Sequence, residues 1–153
     1  MFRDVAARVA AAFPDVAFET FIVDDFARRL VASPRDLDVV VLPNLYGDIL
    51  SDAAAGVIGG LGLAPSGCYG DTYAYFESAH GSAPDIAGKN VINPTATILS
   101  ATMMLRYLGF TEPARRLETA VERVYGEGRV LTLDQGGDAS TTEFCAAVAE
   151  RLP

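Results

Sequence analysis

Asp48 and Asp52, in the run Asn44-Leu45-Tyr46-Gly47-Asp48-Ile49-Leu50-Ser51-Asp52, place two carboxylates four residues apart. If Gly47 to about Ile58 is a helix, four residues advance it by roughly 6 Å and through little more than one revolution, so both carboxylates leave from one face. Two like charges side by side call for a cation. Acidic residues in a first helical turn more often merely offset the helix dipole, and on the pair alone that use is favoured over a metal. The single histidine, His80, lies in Glu77-Ser78-Ala79-His80-Gly81-Ser82-Ala83-Pro84-Asp85-Ile86-Ala87-Gly88-Lys89-Asn90. Small residues there let a ligand approach the backbone, although a lone histidine is also an ordinary structural residue.

The elements that must position these groups follow from the apolar spacing. Phe2, Val5, Ala6, Val9 and Phe13 predict an amphipathic helix stopped by Pro14. Val16 to Val23 reads as a strand ending at Asp24-Asp25, followed by a short helix with Phe26, Leu30 and Val31 as its buried stripe. Asp38 to Leu42 reads as a strand covered on both faces. Strand, helix, strand and helix in succession predict a βαβα unit with a parallel sheet, which puts Asp24 and Asp48 at the ligand-binding edge beyond the strand ends.

The glycines at 56, 59, 60, 62, 67 and 70 predict a flexible connection, without the spacing of a dinucleotide fingerprint or a P-loop. Thr72 to Phe76 reads as a strand, and the His80 segment as a long loop after it. Asn93-Pro94 reads as the N-cap and first position of a helix through Leu108, and Glu112 to about Tyr125 as another. Ser140-Thr141-Thr142-Glu143 has the form of a capping box before a last helix containing Phe144, Val148 and Leu152.

The chain has 153 residues, half of them apolar and 21% charged, as expected of one packed unit. Its formal net charge of −8 gives no electrostatic footprint for nucleic acid or an anionic membrane surface. Cys68 and Cys145 lack metal-ligand or disulfide-framework spacing and read as reduced core thiols. No stretch approaches the roughly 20 apolar residues of a membrane span or the pattern of a secretory leader, so a soluble cytoplasmic protein is expected.

The 44–52 segment, Gly59-Gly60-Leu61-Gly62-Leu63-Ala64-Pro65, and His80 to Asn93-Pro94 together closely resemble the isocitrate and isopropylmalate dehydrogenase family, nearly end to end. The resemblance implies an α/β, isopropylmalate dehydrogenase-like fold, with residues 1–153 forming a single incomplete domain: the C-terminal part of the large domain plus part of the dimer-forming region. It implies a metal-dependent β-decarboxylating dehydrogenase that oxidises a 2-hydroxy acid with NAD or NADP. Asp48 and Asp52 match metal-binding aspartates, and Asp24 matches a third that family members donate across the dimer. Mg²⁺ or Mn²⁺ is the metal such oxygen ligands suit. Asp25 has no family counterpart and is expected to be solvated.

The same resemblance makes His80, Gly81, Ser82, Ala83, Pro84, Asp85, Ile86, Ala87, Gly88 and Asn93 a cofactor-binding loop around the adenosine half, with Glu77 near the nicotinamide. NADP-using relatives carry Lys-Tyr where this chain has Asp85-Ile86. A carboxylate accepts ribose hydroxyls and repels a 2′-phosphate, so NAD is expected. Tyr46, Leu63-Ala64-Pro65, Lys89-Asn90 and the 136–144 tail look more like isocitrate members than isopropylmalate members. Homoisocitrate and tartrate or malate enzymes share the family.

The family's substrate-clamping Arg residues and its acid–base Tyr and Lys are expected upstream of Met1, so no catalytic residue is assignable here. Three explanations compete: a truncation or partial reading frame, one part of a split enzyme completed by an N-terminal polypeptide, and a relic without catalysis. A homodimer, a noncatalytic regulatory or structural partner, and a generic metal-binding module are the other expectations. An open sheet edge with uncovered apolar faces, and hence self-association, follows.

Overall fold

The structure, a computed structural model, describes residues 1–152. It divides into two compact units, Met1–Val57 and the chain from Ile58 onward. The first unit holds α1 (Phe2–Ala10), α2 (Val23–Ala32) and α3 (Asn44–Val57). The opening helix forms as its spacing predicts and stops before Pro14, but buries none of its side chains. In α2 the buried stripe reduces to Phe26 and half-buried Leu30, while Val31 is exposed. Leu50 and Ala55 are the buried positions of α3.

Neither expected strand forms in this unit. Residues 16–22 and 38–42 take no strand hydrogen bonding, and the only sheet among the described residues is two-stranded and antiparallel. The βαβα unit with a parallel sheet is therefore not what this chain builds. A strand exists through its neighbours' backbone N–H and C=O groups, and these two segments find none among the described residues. Val39 and Val41, expected to be covered on both faces, are 82% and 69% exposed. The fold is mixed helix and strand all the same.

The second unit opens with a hairpin of β1 (Pro65–Tyr69) and β2 (Ala74–Ser78), in register from Pro65 opposite Ser78 to Tyr69 opposite Ala74. Part of the expected glycine-rich connection is thus a strand. At Gly67 a Cβ would lie 3.0 Å from Phe76 Cδ1 and 3.1 Å from Met103 Cε, so a larger residue there requires both side chains to shift. Behind the hairpin lies α4 (Thr95–Tyr107), which packs on α5 (Thr111–Glu127), and α5 packs on α6 (Thr141–Glu150). Pro94 rather than Asn93 is the N-cap of α4; Asn93 Oδ1 instead accepts from Thr95 N at 3.0 Å. Gly128 ends α5 in the left-handed conformation, φ 63°.

Ala120, Val121 and Val124 of α5 and Phe144, Ala147 and Val148 of α6 form the core, with Ile98, Leu117, Tyr125 and Val130 against it. The Ser140 capping box forms in full, with Ser140 Oγ accepting from Glu143 N and the Glu143 carboxylate accepting from Ser140 N at 2.8 Å. Cys68 and Cys145 are both exposed, not core thiols. Cys68 lies on β1 and Cys145 on α6, each on the face turned from the packed side, where alternation and helical period place it.

Candidate functional site: a carboxylate pair and an exposed loop

The position of Asp48 within α3 separates the two uses of the pair. The helix begins at Asn44, three residues before the expected start, so no acidic residue falls in its first turn. The macrodipole acts within the terminal turn, which leaves little dipole stabilisation for Asp48 and less for Asp52. Both residues are exposed. Asp48 Oδ2 accepts from Asn44 Nδ2 at 3.2 Å, and among the described residues neither aspartate pairs with an Arg or Lys. Two uncompensated carboxylates one turn apart on one face supply hard oxygen donors of the kind a divalent cation takes, and leave the rest of its shell to other groups.

Asp24 differs. It stands in the first turn of α2, where its Oδ1 accepts from Asp25 N at 2.9 Å, so the helix dipole accounts for its location. Asp25 is not a free solvated carboxylate: it binds Arg29 Nε at 2.9 Å and Arg28 Nη2 at 2.8 Å. Hydrogen bonds from Arg29 and then Arg28 hold its carboxyl below the ordinary range. Among the described residues no three His, Cys, Asp or Glu side chains gather closely enough to hold a metal, so Asp24 does not join Asp48 and Asp52 as a third ligand within this chain.

The loop after β2 has a fixed stem and an exposed crown. Glu77 keeps its side chain on the exposed side of β2, while its carbonyl accepts from the buried Ser100 Oγ of α4 at 2.6 Å. His80 is half-buried, with Nδ1 2.9 Å from Gly81 O and Nε2 enclosed without a partner among the described residues. Residues 81–90 are all exposed. Ala83, at φ 43°, turns the chain into the 3₁₀ turn Pro84–Ile86, which presents Asp85 to solvent without a cationic partner among the described residues.

At the far end the loop is stitched to the start of α6. Thr141 N donates to Asn90 O at 2.9 Å, Thr141 Oγ1 to Ile92 O, and Asn90 Nδ2 to Thr142 Oγ1 at 2.8 Å. A shallow concavity of about 350 Å³ runs between these parts, lined by Ile86, Ala87, Gly88, Asn90, Val91, Ile92 and Thr141. Three of its lining residues, Ile86, Ala87 and Gly88, are among the sequence-predicted contacts, and Asn90, Val91 and Ile92 follow them in the same loop. Thr141 lies outside that loop; its only signal was its place just inside a capping box. Asn93 is 3% exposed and turns its side chain inward.

A family model described as isocitrate/isopropylmalate dehydrogenase matches residues 1–148. The isocitrate/homoisocitrate dehydrogenase of Thermus thermophilus is 57% identical over 152 residues, covering 99% of this chain and 45% of that protein. A mitochondrial regulatory subunit of the NAD isocitrate dehydrogenase of Dictyostelium discoideum is 49% identical over 145 residues, 94% of this chain and 41% of that protein. A crystal structure of isocitrate dehydrogenase from Methylococcus capsulatus superimposes with a TM-score of 0.95 at 44% identity, over 99% of this chain and 45% of that one. The chain thus spans a little under half the length of the relatives it matches.

Proposed function

The chain belongs to the isocitrate/isopropylmalate dehydrogenase family, and from that membership we propose that it supplies metal and cofactor contacts for the NAD-dependent oxidative decarboxylation of a 2-hydroxy acid, isocitrate to 2-oxoglutarate. The observation that carries the proposal is the uncompensated Asp48–Asp52 pair beyond the first turn of α3. In this reading Asp48 and Asp52 hold Mg²⁺ or Mn²⁺, and Asp24 completes the metal site of a neighbouring protomer. When bound, the ion supplies a Lewis-acid charge that makes the substrate hydroxyl more acidic and polarises the carbonyl oxygen during loss of CO₂. Asp85 accepts the adenosine ribose hydroxyls, and Glu77 lies toward the nicotinamide end. No Tyr or Lys of this chain is assigned the acid or base role. A second copy, or a polypeptide carrying the family's N-terminal half, completes the active site, and the assembly is cytoplasmic. Among the described residues no helix is long and apolar enough to cross a membrane.

Isothermal titration with Mn²⁺ tests the central assignment. Asp48→Asn and Asp52→Asn are each expected to weaken Mn²⁺ binding at least as much as the roughly 10–100-fold that loss of an outer-shell partner costs. Binding unchanged by both substitutions would sink the metal reading.

A second reading, a noncatalytic regulatory partner, draws on the 49% identity to a regulatory polypeptide of an NAD isocitrate dehydrogenase. NADH formation from isocitrate and Mn²⁺, assayed with the chain alone and mixed with a full-length relative, separates the two. Activity that the chain only modulates, without its Asp48 and Asp52 mattering, favours the regulatory role.

A further inference from the structure

Beneath the returning end of the loop, Asn93, Thr95, Tyr125, Thr132, Asp134 and Gln135 form one hydrogen-bonded group. Asn93, Thr95 and Thr132 are buried. Asn93 Nδ2 donates to Asp134 Oδ2 at 3.0 Å and to Tyr125 Oη at 3.2 Å, and its Oδ1 accepts from Thr95 N. An amide side chain has two donor hydrogens, so both are spent inside the protein and none remains for a ligand. Tyr125 Oη also lies 2.7 Å from Thr95 Oγ1.

Asp134, in the 3₁₀ turn Leu133–Gln135, is the hub. Its Oδ1 accepts from Thr132 Oγ1 at 2.6 Å, and its Oδ2 accepts from both Asn93 Nδ2 and Gln135 Nε2, the latter at 3.0 Å. Gln135 Nε2 reaches on to Gly59 O at 2.9 Å. Partial burial works to raise the Asp134 carboxyl, but hydrogen bonds from Thr132, Gln135 and Asn93 and its own backbone N–H outweigh it and hold it below the ordinary range. The backbone of Gly62 closes the group from one side, where a Cβ would lie 3.0 Å from Asn93 Cβ and 3.2 Å from Asp134 Oδ2. Segments far apart in sequence, 59–62, 93–95 and 132–135, are thereby tied at one carboxylate.

We propose that Asp134 is a positioning residue for the nucleotide loop: through Asn93 it fixes the backbone where the loop returns to α4, and so orients the Asp85–Asn90 arc without itself touching the cofactor. The inference rests on the nucleotide-site reading of residues 80–93. It gives Asn93 a supporting role for its side chain, since that side chain faces the hub and not the solvent-exposed crown. The Tyr125 ring also packs on Phe144 of the core, 5.4 Å between centroids, a contact that its hydroxyl does not make. Asp134→Ala strands the buried Asn93 donor. Asp134→Asn does not: its oxygen can accept from Asn93 and Gln135 while its amide donates to Thr132 Oγ1, which as a hydroxyl accepts as readily as it donates.

Amide hydrogen exchange and NADH fluorescence titration of the full chain test this with the two variants. Asp134→Ala is expected to speed exchange of the 90–95 amides and to weaken NADH binding, each by roughly tenfold, the factor that loss of a hydrogen bond to a charged group implies. The thermal midpoint should fall by no more than the few degrees that one lost hydrogen bond costs, exchange in α5 and α6 should rise less than at 90–95, and Asp134→Asn should restore both losses. Exchange at 90–95 unchanged in Asp134→Ala overturns the proposal. So does faster exchange spread equally through α5 and α6, which would make Asp134 a general stability residue, or failure of Asp134→Asn to restore. NADH binding indifferent to Asp134→Ala overturns this proposal alone, whereas a wild-type chain that binds no NADH overturns the nucleotide-site reading and the proposal with it.

Discussion

Asp25 and Asp85 show how neighbours decide what a carboxylate can do. Asp25 is neutralised by Arg28 and Arg29 on its own helix, so it has little charge left to offer a ligand. Asp85 sits on an exposed turn with no such partner among the described residues, and its charge acts on whatever approaches the loop. Replacing it should therefore change selectivity more than stability. Asp85→Lys with Ile86→Tyr is expected to move preference from NAD toward NADP, because the 2′-phosphate then meets a cation in place of an anion. Competitive titration of the two cofactors against an active assembly checks this; NADP binding the wild type as tightly as NAD would contradict it. Asp48, Asp52 and Asp85 were legible because their spacing or motif is local. Asp134, Tyr125 and Thr141 were not: the partners they meet in residues 90–95 lie 30 to 51 residues away in sequence (125 − 95 to 141 − 90), and no periodicity encodes such a meeting.

The helices follow from local chemistry, and the strands of the first unit did not. Ser140 and Glu143 carry their capping instructions within four residues, and the cap forms as read. Residues 38–42 are as apolar as any strand, yet an apolar run specifies only burial, and the neighbour that would make it a strand is absent among the described residues. The hairpin formed because its partner lies across the short turn from Gly70 to Tyr73. Ser140→Ala should cost about 1 kcal/mol, the usual worth of such a cap. The Ser140 side chain, with its backbone N–H, also holds the Glu143 carboxyl below its ordinary value. A carboxyl lowered in the folded state adds stability that is complete above its unfolded value of about 4.5 and is lost as pH falls through the lowered folded value. Chemical denaturation from pH 3 to 7 should show that acid-side loss in the wild type and a smaller one in Ser140→Ala. Equal slopes in the two would contradict the coupling.

The whole chain exposes far more surface than its mass requires. A compact 16.2 kDa monomer exposes about 7,500 Å², and two separately compact bodies cut at Val57 about 8,900 Å² together. This chain exposes 10479 Å². The surplus over even the two-body figure, about 1,500 Å², exceeds the roughly 800 Å² that one partner contributes to a standard interface. Large apolar side chains stand in the exposed surface, among them Val16, Ile22, Val39 and Val41 of the first unit. Sedimentation of the purified chain should therefore show self-association, and a monodisperse monomer that unfolds in one cooperative step would contradict this. Inside a cell the same surface has a further effect. Chaperones and proteases act on uncovered apolar segments, and residues 16–22 and 38–42 expose such side chains. The two segments that do not become strands thus link the chain's susceptibility to proteolysis to whatever covers them.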